Sequence, residues 1–80
     1  MKSPRDVSAK ELIKLLKIYG YEIVSQRGRH IKITTQQNGE HHLAIPNHDP
    51  IKIGTLNAIL RQVAEHIEKN KDDIFKELFS

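Results

Sequence analysis

Arg27, Arg29, His30 and Lys32 crowd into the run Gln26-Arg27-Gly28-Arg29-His30-Ile31-Lys32-Ile33. An imidazole exchanges a proton near neutral pH, and guanidinium and ammonium groups hold phosphate oxygens. Together these side chains could bind a polyanion and move a proton on it. The run reads as the end of one strand, a tight glycine turn, and the start of the next strand. Strand side chains alternate between faces, so Ile31 and Ile33 share one face, and His30, Lys32 and Thr34 share the other. With the isoleucines in a core, the histidine and lysine face outward beside Arg27 and Arg29.

Other chemistries find less support. A metal centre needs at least three converging ligands. His41 and His42 are adjacent in a strand and point to opposite faces, no HxxxH spacing falls on a helix, and Asp49 is the only carboxylate close to His48. No metal site is expected, and His41, His42 and His66 are expected on a solvated surface. No serine sits on a strand-to-helix elbow; Ser3, Ser8, Ser25 and Ser80 have plainer roles. There is no phosphate loop of the nucleotide-binding kind. The absence of cysteine removes a thiol nucleophile, a thiolate metal site and a disulfide.

The elements that must position the basic turn follow from periodicity. Ser8 with Glu11 is a capping-box signature. Leu12, Leu15, Leu16 and Tyr19 then recur at helical spacing, with Lys10, Lys14 and Lys17 mostly on the other side, and Gly20 suits the C-cap. Tyr21–Gln26 reads as a first strand, His30–Thr35 as a second, and His41–Ile45 as a third ended by Pro46. Asn38-Gly39 supplies the turn between the last two. On the third strand His41, Leu43 and Ile45 share one face, and His42 and Ala44 the other. A second helix from about Gly54 carries the stripe Leu56, Ile59, Leu60, Val63 and Ile67. Asn70–Ser80 reads as a short third helix capped by Asn70, its apolar edge expected to dock on the same core.

The expected fold class is therefore α+β: an α-β-β-β-α two-layer sandwich with an extra C-terminal helix. Both main helices cover the Ile31/Ile33/Leu43/Ile45 face and leave the His30/Lys32 face open. Eighty residues make one domain, 1–80, with a core of about 8–67 and an extension of about 70–80. Such a chain buries only roughly 60–65% of its unfolded surface. Residues 1–64 hold ten Lys/Arg against five Asp/Glu, and residues 65–80 hold three against five. The net charges are +5 and −2, so the basic excess lies in the body, where nucleic-acid phosphates are a natural partner. Met1–Asp6 leads into an amphipathic segment rather than an apolar signal region, and no apolar run approaches membrane-spanning length. A cytoplasmic protein is the expectation.

A resemblance rests on longer stretches. The short lysine-rich helix, Gly20-Tyr21-Glu22-Ile23-Val24 and Gln26-Arg27-Gly28-Arg29-His30 resemble the HicA toxins of bacterial toxin–antitoxin pairs. So do Ala44-Ile45-Pro46-Asn47-His48 and Lys52-Ile53-Gly54-Thr55-Leu56-Asn57-Ala58-Ile59-Leu60-Arg61-Gln62, the similarity spanning about residues 8–64. The Gly-x-His turn alone is unspecific; its combination with the downstream Gly-Thr-Leu-x-x-Ile-Leu-Arg-Gln helix is fairly specific. The resemblance implies a fold similar to double-stranded-RNA-binding domains. It also implies an mRNA interferase, that is an endoribonuclease of a type II toxin–antitoxin pair, neutralised by a HicB antitoxin. The family's essential histidine follows a Gly-Ser pair and maps onto His30. Arg29 stands in place of that serine.

RNA carries its own nucleophile, the 2′-hydroxyl, so cleavage needs only proton transfer and cations for the developing charge. On this reading His30 is catalytic, with no cofactor, and His48 is a candidate for a second proton transfer. The RNA-binding set is Arg27, Gly28, Arg29, Lys32, Lys52 and Thr55, the last two beside free amides at the start of the second helix. Two other readings stay open: a non-catalytic RNA-binding domain of the same fold, and an interaction module for an acidic partner.

Overall fold

The computed structural model describes residues 6–79; the expectations for the Met1 start and for Ser3 and Ser80 lie outside them. Helix α1 spans Ala9–Leu16 and tightens into a 3-10 turn over Lys17–Tyr19. Strands β1 (Glu22–Arg27), β2 (His30–Thr35) and β3 (His41–Pro46) follow, then helices α2 (Ile53–Ile67) and α3 (Lys71–Phe79). This is the expected α-β-β-β-α order with its additional helix.

Helix α1 starts where its capping box requires. Ser8 Oγ accepts from the Glu11 amide at 3.2 Å, and the Glu11 carboxylate accepts from the Ser8 amide at 3.4 Å. Its exit is set by Gly20, at φ +83°. A Cβ there would lie 2.7 Å from Thr35 Oγ1, an atom already engaged in donating to the Tyr19 carbonyl at 2.7 Å and accepting from the Gln37 amide at 3.1 Å. The helix thus needs glycine twice over, for its left-handed backbone and for room.

The strands form one antiparallel meander in the order β1-β2-β3. Ile31 faces Ile45 and Ile33 faces Leu43 across β2 and β3, while Arg27 opposes His30 across β1 and β2. All four of those apolar residues are buried, with Leu12, Ile13 and Leu16 of α1 and Leu56, Leu60 and Val63 of α2 laid over them. Ile13 is a more deeply buried member of the α1 face than Leu15. Both helices pack against β3, and α3 packs against α2, burying Ile74, Leu78 and Phe79 in the same core. The amide of Asp72 donates to Asn70 Oδ1 at 2.8 Å, so Asn70 caps α3 as its position suggests.

Strand β1 differs from expectation in two ways. It runs one residue later than Tyr21–Gln26, with Tyr21 itself fully buried just before it. All six of its residues are exposed, because the helices sit towards β3 and leave the β1 margin of the inner face uncovered. The register also shifts between Ile23 and Ser25, a bulge at Val24.

Candidate nucleic-acid interface

The β1–β2 turn builds one end of the site. Gly28 turns at φ +54° with no atom within 4 Å of where a Cβ would stand, so the demand on it is conformational rather than spatial. On either side, Arg27 and His30 pair across the strands. Alternation places both on the open face with Lys32, and all three are exposed. Arg29 occupies the turn, and its carbonyl accepts from the Asn47 amide at 2.6 Å. That bond draws the Asn47-His48 loop against the turn. The loop is held in turn to α1, whose Ala9 amide donates to the His48 carbonyl at 3.0 Å.

A shallow pocket of about 360 Å³ opens on this face, lined among others by Arg27, His30, Lys32 and His42. The structure therefore brings three of the predicted side chains into one pocket and puts Gly28 and Arg29 in the turn at its end. His48, Lys52 and Thr55 do not line it. Lys52 is exposed at the N-cap of α2 without a side-chain capping bond, and Thr55 is half-buried in the first turn.

The histidines divide sharply. His42 is exposed, as expected, but it lines the pocket, and its Nε2–H donates to Glu40 Oε2 at 2.6 Å. The face shared by His42 and Ala44 was the signal that could have found it. The solvated-surface expectation is corrected for His41 and His66. Their rings stack at 4.4 Å and 13°, and His41 Nδ1 is hydrogen-bonded to the Tyr21 hydroxyl at 2.7 Å. Desolvation, then the charges of His66 and His42, push the His41 pKa down, and burial pushes Tyr21 up to about 12. His66 Nε2–H donates to the Gln37 and Gly39 carbonyls, each at 2.9 Å, and Asn38 Nδ2 donates to the His66 carbonyl at 2.7 Å. The tip of the β2–β3 hairpin is thereby fastened to the end of α2. These two histidines serve the fold.

The strands carry no exposed tyrosine, phenylalanine or tryptophan on which a base could stack: Tyr21, just before β1, is buried. Among the described residues no group of three His, Asp or Glu could hold a metal ion, and no helix is long and apolar enough to cross a membrane.

The fold is an α+β domain whose helices lie on one sheet face and whose other face carries an imidazole set among cations. A family model described as the HicA toxin of bacterial toxin–antitoxin systems matches residues 9–64, well over half of the chain. The chain belongs to the HicA toxin family, and membership implies an antitoxin protein as partner. Neither the curated proteins nor the solved structures contain a match.

Proposed function

We propose that this toxin is an mRNA interferase, a metal-independent endoribonuclease in which His30 transfers the proton at the scissile phosphate. The observation that carries this reading is the convergence of Arg27, His30 and Lys32 on one pocket of the open sheet face. The RNA 2′-hydroxyl attacks the adjacent phosphorus as His30 takes its proton, and the bond to the 5′-oxygen of the next nucleotide breaks, leaving a 2′,3′-cyclic phosphate and a 5′-hydroxyl that takes its proton from water. Arg27 and Lys32 in the pocket and Arg29 at the turn hold phosphate oxygens as charge develops on them, a role suited to donors fixed before the reaction. Gly28 gives the turn its left-handed bend. Lys52 and Thr55 at the start of α2 contact a further phosphate along the strand.

With exposed cations and no exposed tyrosine, phenylalanine or tryptophan on the strands, recognition falls on phosphates and 2′-hydroxyls, so sequence preference is loose. A narrow consensus among mapped cleavage sites would contradict this. The antitoxin neutralises the toxin by covering Arg27–Lys32, and the protein acts in the cytoplasm, where mRNA is.

The test is cleavage of a labelled RNA in EDTA, wild type beside His30→Ala. Loss of general acid–base help lowers the rate about 10²–10⁴-fold while most RNA affinity remains. If neither protein cuts and both bind RNA, the chain is a binding domain and His30 only contacts the backbone. Cleavage that vanishes in EDTA and returns with a divalent cation excludes the metal-independent mechanism.

A further inference from the structure

The inner face of the sheet is unfinished at β1. Ile23 and Val24 stand 57% and 53% exposed on this edge strand, and Ile18, next to Lys17 at the end of α1, is 57% exposed. Between α1 and β1 runs a groove of about 310 Å³. Ile13 and Ile31 form its floor, Ile23 part of one wall, and Lys10, Lys14 and Lys17 the other. The three lysines recur at i, i+4 and i+7, so they form one cationic row along the helix. The groove lies on the opposite side of the sheet from the His30 pocket, since Ile31 belongs to the inner face and His30 to the outer.

An open strand edge invites pairing, and soluble proteins blunt it with charges, prolines or bulges. Here β1 pairs only with β2. Its charges, Glu22 and Arg27, stand at its two ends, and the stretch between them, Ile23-Val24-Ser25-Gln26, is uncharged and interrupted only by the bulge at Val24. Unpaired backbone groups, an apolar floor and a row of cations call for three features in one ligand. These are an extended backbone, apolar side chains at alternate positions, and carboxylates.

The geometry points to strand addition. An acidic, apolar extended segment of the antitoxin lies beside β1 as a fourth strand, its apolar side chains over Ile13, Ile23 and Ile31 and its carboxylates against Lys10, Lys14 and Lys17. A nucleic acid would use the lysines and leave the apolar floor and the strand edge unmatched. A second copy of this chain paired β1 to β1 would bring two lysine rows onto the same face. The inference rests on the family membership that supplies the antitoxin, not on the RNA-cleavage reading, and it places an antitoxin grip away from His30.

The experiment uses the full chain, alone and in complex with its cognate antitoxin. Amide hydrogen exchange of Glu22–Arg27 slows on complex formation. The triple variant Lys10→Glu, Lys14→Glu, Lys17→Glu, and separately Ile23→Lys, each raise the antitoxin Kd at least tenfold. Lys76→Glu on α3 leaves it unchanged. Circular dichroism confirms that each variant is folded, and affinity for a labelled RNA stays within about twofold of wild type. A tight complex with unchanged β1 exchange, or charge reversal without effect on Kd, overturns the proposal. Loss of RNA affinity in the triple variant without loss of antitoxin affinity reassigns the groove to RNA. If the chain proves not to cleave RNA, these readouts stand unaltered.

Discussion

At the scale of single residues, burial and partners separate five histidines that composition cannot distinguish. His30 and His42 face solvent across one pocket, while His41 and His66 stack against each other, His41 bonded to the Tyr21 hydroxyl and His66 closing the hairpin onto α2. This difference has a measurable pH signature. His41 has its folded-state pKa below the ordinary 6.5, so on acidification the unfolded chain takes up that proton first. Its contribution to stability is complete above pH 6.5 and falls as the pH drops through that value toward the folded-state pKa. Desolvation sets this first, and the charges of His66 and His42 add to it. Urea midpoints are expected to be lower at pH 5.5 than at 7.5, with a smaller difference in His41→Asn; an equal difference in both proteins would remove His41 as the cause. The Glu40–His42 pair, exposed on both sides, is worth only ~0–1 kcal/mol. Glu40→Gln is therefore expected to leave the urea midpoint at pH 7.5 nearly unchanged.

At the scale of elements, the close approach of Gly20 to Thr35 sets a sharper contrast. Gly20→Ala must adopt a left-handed backbone and displace Thr35 Oγ1, whereas Gly28→Ala meets only the backbone penalty. We expect the second to cost about 1–2 kcal/mol and the first clearly more, by denaturant titration of the two variants side by side. Helix α3 is held by its buried Ile74 and by polar ties at its far end. The Tyr19 hydroxyl donates to Glu77, and Lys69 Nζ donates to Glu77 Oε2 at 2.6 Å. Ile74→Ala is expected to cost about 2–5 kcal/mol, and a cost below ~1 kcal/mol would mean that the helix is not docked in solution. The order of elements, the α1 capping box, the α3 cap and the inward isoleucines of β2 were legible because each is written in local spacing or side-chain chemistry. What was not legible depends on where distant segments land. The full exposure of β1 follows from helices that favour β3, and the His41–His66 stack joins residues from a strand and a helix. For the site, face alternation carried Arg27, His30 and Lys32 together. Lys52 and Thr55 depended on the placement of a separate helix, and that helix does not bring them into the pocket.

At the scale of the molecule, charge is segregated: the body carries the cations and the last sixteen residues a small acidic excess. If Arg27, Arg29, Lys32 and Lys52 are the phosphate contacts, log Kd for a single-stranded RNA should change by about three per tenfold change in salt. A flat dependence would argue against phosphate binding on the open face. The meander has another consequence, in time rather than space. Every strand pairs with its neighbour in sequence, so the basic turn and its pocket can be assembled from 22–46 alone. Local pairings of this kind close small loops and favour rapid folding. The inner face of that sheet has only α1 over it until α2 is available, however, so Leu43, Ile45 and Ile33 lack their second helical cover until the chain is nearly complete. During synthesis the toxin's working surface is thus specified early but held in shape late. An antitoxin strand that meets the β1 edge could therefore find its binding partner in the nascent chain before the fold is complete.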